Sequence, residues 1–187
     1  MRLFIAIDIS DAVRQQLREF VREVSRAVRG ANWTKIENIH LTLKFLGHVE
    51  DENIEVIQSS LQEIASRHAS FDLDLIGAGA FPNARAPRVL WIGAHDQSGT
   101  LYRLQADVES EMNSLGFSPE DRAFTAHLTV GRIKHPALNS KLALALEGVN
   151  SRSFGFARIS ELMLIESRLH PNGAVYTRAG TWKLLGG

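Results

Sequence analysis

The stretch N-I-H-L-T-L-K-F-L-G, Asn38 to Gly47, decides how the chain is read, because T-A-H-L-T-V-G-R-I-K, Thr125 to Lys134, respells its centre. Both contain His-Leu-Thr followed by an aliphatic residue, and eighty-seven positions separate the two histidines. With 7 His among 187 residues and equally few Thr, random placement gives fewer than one His-x-Thr triplet even before Leu is required between them. One such triplet is an ordinary feature of the polar face of a strand. Two point to a shared task.

Alternation of apolar and polar residues makes each stretch a strand. Residues two apart on a strand share a face. His40, Thr42 and Lys44 therefore take one face, and Leu41, Leu43 and Phe45 the buried one. In the second copy His127 and Thr129 share a face, with Leu128 and Val130 behind them. The same alternation turns Arg132 away from His127 unless Gly131 admits a bulge.

Working outward, Leu3, Ile5, Ile7 and Ile9 alternate with Arg2, Phe4, Ala6 and Asp8 as an N-terminal strand. Ser10 or Asp11 caps a helix whose buried stripe is Val13, Leu17, Phe20, Val21, Val24 and Val28. A second helix opens at Asp51 and a third at Ser98, and a short fourth spans Pro136 to Glu147. Further strands are Phe71–Phe81, Arg88–Ala94, Ser153–Ser167 and Ala174–Leu184, the last two joined by the turn H-P-N-G. Strand, helix, HLT strand, helix thus occurs twice, predicting two similar halves. Neighbouring strands without a helix between them argue for an α+β fold with largely antiparallel sheets. No Pro- or Ser-rich linker interrupts the chain, so residues 1–187 are expected to form a single domain.

Composition narrows the function. Lys+Arg and Asp+Glu balance at 21 each, so no global field draws in long nucleic acid; any RNA contact is local. The absence of cysteine excludes disulfides, thiolate nucleophiles and zinc–thiolate sites. No run approaches 18 apolar residues, so no membrane association is expected, and a cytoplasmic protein is the default.

Two strands of this kind across a cleft bring two imidazoles and two hydroxyls to one volume. Hydroxyls donate to phosphoryl oxygens. An imidazole with an ordinary pKa of about 6.5 serves as base or acid near neutrality, so a pair supplies both partners for in-line displacement at phosphorus. No Asp or Glu joins either His on its strand face and Thr is a poor transition-metal ligand, so neither metal nor cofactor is expected.

These motifs resemble the two-histidine phosphodiesterase superfamily, and within it the RNA 2′,3′-cyclic phosphodiesterases, also called 2′–5′ RNA ligases. The likeness extends to R-L-F-I-A-I-D-I, W-T-K-I-E-N before the first motif, G-F-S-P-E-D-R-A-F before the second, and L-I-E-S-R-L with G-A-V-Y near the end. It implies two pseudo-symmetric lobes with outer helices and an active-site cleft between them. It implies metal-free hydrolysis of 2′,3′-cyclic phosphate ends to 2′-phosphate, with 2′–5′ joining as a second capability. It implies that His40 is the general acid, that His127 is the general base, and that Thr42 and Thr129 hold the non-bridging oxygens; the residues alone leave acid and base unassigned. Arg132 and Lys44 are the further substrate-binding candidates. Trp33 and Phe124 are open as base-stacking residues, whereas alternation puts Phe45 in the core. The family usually has Pro before its second histidine; here Ala126 softens the start of that strand. RNA ends or small nucleotides are the expected partners of a monomer with no protein partner. Action on 2′–5′ oligonucleotides or small cyclic nucleotides, or nucleotide binding without turnover, are the competing readings.

Overall fold

The computed structural model describes residues 1–26, 30–134, 146–170 and 173–186. Val28 and nearly all of the helix expected over Pro136–Glu147 lie outside the described residues.

The first strand, β1, runs over Arg2–Ile7, and Ser10 caps α1 (Asp11–Ser25) by accepting a hydrogen bond from the Val13 amide. Val13, Leu17, Phe20 and Val24 are the buried stripe of α1. A short strand β2 (Ala31–Trp33) and a 3-10 turn (Ile36–Asn38) lead through His40 into β3 (Leu41–His48). Helix α2 (Ile54–Arg67), β4 (Phe71–Phe81), β5 (Val89–His95) and α3 (Thr100–Ser114) precede the second motif, which opens β6 (His127–Ile133). The chain finishes with β7 (Ser153–Ile159), β8 (Glu161–His170) and β9 (Gly173–Lys183). The apolar stretch Ser153–Ser167, read from sequence as one strand, breaks at Ser160 into strands of different sheets. Among the described residues no helix is long and apolar enough to cross a membrane.

The fold is α+β with two sheets, ordered β3-β1-β8-β9 and β2-β6-β5-β4-β7, and all their strand pairings are antiparallel. Each sheet holds one HLT strand paired with the strand that precedes it by one helix, β3 with β1 and β6 with β5. The two sheets are not the two halves of the chain. Strand β4, which follows α2, joins the second sheet, and β8 and β9 return to the first. Helices cross over too: α3, which links strands of the second sheet, packs on β3, and α1 packs on β7. One apolar core consequently runs through both sheets, from Ile5 and Leu41 to Leu90 and Leu128, with Leu17, Leu61 and Leu104 from the helices. Each such side chain contributes about 1.5–3 kcal/mol on burial.

Both HLT strands carry the same irregularity. On β3, Thr42 opposes Ala6 but Lys44 opposes Ile5, so Leu43 is an extra residue. On β6, Thr129 opposes Trp91 but Gly131 opposes Leu90, so Val130 is the extra one. A one-residue insertion exchanges the faces of the residues that follow, on β3 as far as a second extra residue at Leu46. Lys44 and Gly131 turn inward, while Phe45 and Arg132 turn to the face of the histidines.

Candidate active site

The histidine face of the first sheet is a small apolar bed. Phe4, Ala6, Met163 and Ile165 form a cluster separate from the main core, with Tyr176 packed against it. Ala6 is small enough for side chains on either side of it to meet over it. The His40 ring stacks on Phe4 with centroids 4.7 Å apart and 26° between planes, and Tyr176 meets it edge-on at 5.3 Å. This bed strips water from the imidazole. Burial lowers the His40 pKa to about 4, against smaller upward pushes from a hydrogen bond to the Asn38 backbone and from the charge of Asp8.

The chain around His40 is held from several sides. Asp8 is shared between Arg14 and Arg178, the latter at 2.7 Å. Arg14 also donates to the carbonyls of Ile9 and Ile39, which ties the end of β1 to the residue before His40. The Asn38 side chain donates to the Ala174 carbonyl at 3.0 Å, fixing β9 and its Tyr176 beside the ring. A cavity of about 110 Å³ next to His40 is lined by Asp8, Asn38, Met163, Tyr176 and Arg178. A wider one of about 640 Å³ shares Asp8, Arg14, Glu37 and Arg178 with it.

On the second sheet His127 is directly opposite Gly93, and Thr129 opposite Trp91. Nδ1 of His127 is 2.7 Å from the Thr125 carbonyl oxygen. Phe81 stands edge-on to His127 at 5.2 Å and is tilted over Trp91 at 5.2 Å. Trp91 lies flat on Gly79, where a Cβ would come within 2.3 Å of the indole. Ala126 stands where the resemblance expects Pro, yet it is buried and its carbonyl accepts the Ala94 amide at 3.2 Å. The start of β6 is therefore anchored by the neighbouring strand. Strands β3 and β6, each opened by one motif, touch where the sheets meet.

His40, Thr42, His127 and Thr129 thus lie on the open faces of two adjoining strands, the threonines half-buried. Arg132 shares the His127 face by way of the bulge, and it is exposed. Lys44 does not share the face of His40 and Thr42. Its side chain is 0% exposed and pairs with Glu109 at 2.7 Å, because the bulge at Leu43 turns it inward. Phe45 makes the opposite correction: expected in the core, it is 59% exposed and 5.8 Å from Phe4. Trp33 lies against Gly131, on the inward face of β6, and Phe124 packs on the core margin edge-on to Tyr102. Neither joins the histidines. Sequence reasoning missed Asp8, Arg14, Arg178, Phe4, Tyr176, Phe81 and Trp91 as parts of the site. Phe4, Ala6 and Asp8 were visible as the second face of the first strand, but nothing in that alternation says what covers it. Among the described residues there is no group of three or more His, Cys, Asp or Glu placed to hold a metal ion.

The model of the family described as LigT like Phosphoesterase matches the chain twice, over residues 7–91 and 92–176, one HLT motif in each. An RNA 2′,3′-cyclic phosphodiesterase of Archaeoglobus fulgidus is 39% identical over 176 residues, covering 94% of this chain and 96% of that one. A protein of the same name from Methanothermobacter thermautotrophicus is 33% identical, covering 98% and 99%. Among solved structures, a Thermus thermophilus protein superposes with a TM-score of 0.85 at 30% identity, covering 100% of this chain and 99% of that one. Escherichia coli LigT complexed with 3′-AMP superposes with a TM-score of 0.81 at 25% identity, covering 98% of each.

Proposed function

The chain belongs to the LigT-like phosphoesterase family, and from that membership we propose that it hydrolyses 2′,3′-cyclic phosphates at RNA ends, leaving a 2′-phosphate, with the paired His-x-Thr motifs as its machinery. The observation that carries this reading is the matched placement of a His-Leu-Thr motif at the start of each of two touching strands, one from each sheet.

Water attacks phosphorus in line with the P–O3′ bond. His127 takes the proton from the water through Nε2, and His40 delivers one to O3′ as that bond breaks. Thr42 and Thr129 donate to the two non-bridging oxygens, and Arg132 offsets the charge that gathers on them. The acid and base roles follow the family resemblance. Burial keeps the free His40 neutral at pH 7, so on this assignment it gains its proton as the anionic phosphate arrives, because a nearby negative charge favours the imidazolium. The exposed ring of Phe45, backed by Phe4, offers an aromatic surface to the terminal base. Attack by the 5′-hydroxyl of a second RNA in place of water breaks the same P–O3′ bond and yields a 2′–5′ linkage. That makes ligation a second use of one geometry.

The test is a short RNA ending in a 2′,3′-cyclic phosphate, incubated with the protein in chelator and followed by mass. A gain of one water and a 2′-phosphate product, lost in both His40→Ala and His127→Ala, is the expected result. No turnover by folded wild type overturns the reading. Turnover that stops in chelator overturns its metal-free form.

A further inference from the structure

Lys44 presents a puzzle that the proposed chemistry does not use. Its side chain is wholly buried, whereas the neighbouring Phe45 stands 59% exposed. Hydrophobicity alone favours the reverse. In an unbulged pairing continued from Thr42 opposite Ala6, Leu43 opposes Ile5, Lys44 opposes Phe4 on the open face, and Phe45 opposes Leu3 in the core. That alternative hydrates a charge and buries a phenyl ring, and the alternating pattern of the sequence points to it. Something must hold β3 one residue away from it.

The candidate is the set of partners waiting for the ammonium. Nζ of Lys44 is 2.7 Å from Glu109 Oε1 on α3 and 3.0 Å from the Ser118 carbonyl oxygen. Glu109 Oε1 also accepts the Glu120 amide at 3.0 Å, so the pair is tied into the segment that leads from α3 to β6. Oε2 of Glu109 is buried and has no hydrogen-bond partner among the described residues, so the carboxylate meets Lys44 through one oxygen. On β6 the equivalent inward position is Gly131, which has no side chain to bury and needs no such arrangement. A buried charge is tolerated only when paired and hydrogen-bonded. Removing one partner makes the buried position of the other untenable.

We propose that the Lys44–Glu109 pair is a register lock, holding β3 in the bulged pairing that turns Phe45 out beside Phe4 and His40, and that both are positioning residues for the substrate face of the strand. The effect on turnover rests on the phosphodiesterase reading; the register claim does not.

The two are separated by labelling lysines with an amine-reactive ester below saturation and reading the peptides by mass, with exposed Lys35 as internal reference. Wild-type Lys44 is expected to label at least about tenfold less than Lys35, and in Glu109→Gln to come within about threefold of it as the strand slips. In the same variant kcat/KM on a cyclic phosphate falls about tenfold or more, and Lys44→Met combined with Glu109→Gln, which leaves no charge to hydrate, returns to within about threefold of wild type. Should Glu109→Gln not stay folded, Glu109→Asp keeps the charge but shortens its reach by one methylene, and intermediate labelling is expected. A folded Glu109→Gln or Glu109→Asp in which Lys44 stays as protected as in wild type overturns the lock. An exposed Lys44 with undiminished turnover overturns its link to the site. A wild type that turns over no cyclic phosphate sinks the phosphodiesterase reading, while the labelling still decides the register.

Discussion

Nδ1 of His127 lies 2.7 Å from the carbonyl oxygen of Thr125, two residues before it. A carbonyl oxygen only accepts, so Nδ1 of His127 carries the proton and Nε2 is left to face outward. A backbone carbonyl thus orients the His127 imidazole, whereas aromatic packing holds the His40 ring. Their difference arises from what surrounds them: His40 lies on Phe4 with Tyr176 at its edge, and Phe81 is edge-on to His127.

That difference makes the division of labour measurable. In the intact enzyme one required acid and one required base give the same bell-shaped kcat/KM profile whichever histidine plays which part. Removing one partner resolves it. In His127→Ala the residual kcat/KM is expected to be level below about pH 4 and to fall tenfold per unit above it, because His40 must be protonated to act as acid and its free pKa is about 4. The corresponding limb in kcat lies at higher pH, since bound phosphate raises the pKa. A residual rate that climbs to a plateau above pH 4 exchanges the roles.

The partly buried His40 imidazole also bears on stability. Its folded pKa is depressed, so the unfolded chain binds a proton at a pH where the folded one does not. The contribution is fully present above about 6.5 and is lost as the pH falls through 4. The total is about 3 kcal/mol. Urea unfolding at pH 7 and pH 4 is expected to show His40→Phe losing less stability than wild type by about that amount. Equal losses in the two proteins contradict the burial of His40.

Much of this was legible in the sequence, and the failures share one cause. Period-two alternation placed His40 with Thr42 and His127 with Thr129, and it identified Leu41, Leu128 and Val130 as core. It failed after each threonine, because a bulge shifts the phase by one and leaves no mark on a pattern of alternating residues. Lys44 and Phe45 exchange places for that reason, and Arg132, which strict alternation turns away from His127, comes to its face only through the bulge. Gly131 was the one visible hint. Ser160 hid a different event: the apolar run around it continues, but the chain changes sheets there. The helices were readable from their stripes and the Ser10 cap. Which sheet each helix covers was not, since α1 and α3 pack across the boundary between the halves. The Asp8–Arg14–Arg178 network joins residues up to 170 positions apart, beyond any local pattern.

Gly79 tests the second sheet. A Cβ at this position would stand 2.3–2.8 Å from three atoms of the Trp91 indole, a rigid ring with Phe81 leaning on it. Gly79→Ala is expected to destabilise the protein by about 1–3 kcal/mol through forced displacement of Trp91. Because Trp91 directly opposes Thr129, kcat is expected to fall as well. Equilibrium unfolding and steady-state kinetics on the same preparation check both. A variant with wild-type stability shows that the indole moves freely.

The last prediction concerns Phe45, where stability and activity should part company. A phenyl ring in a packed core costs about 3–5 kcal/mol when cut back to Ala. Phe45 is 59% exposed, with Phe4 as its aromatic neighbour at 5.8 Å, so Phe45→Ala is expected to cost less than about 1 kcal/mol. Its effect belongs in binding: KM for a cyclic-phosphate substrate rises several-fold, in keeping with the ~1–3 kcal/mol of a base–aromatic stack, while kcat changes little. Arg132→Ala, at the matching place after the other bulge, is expected to lower kcat too, because the charge it offsets grows in the transition state. A core-sized loss of stability in Phe45→Ala restores the simple alternating register for β3 and with it an outward Lys44. A small loss with an unchanged KM keeps the bulge but removes Phe45 from the binding surface.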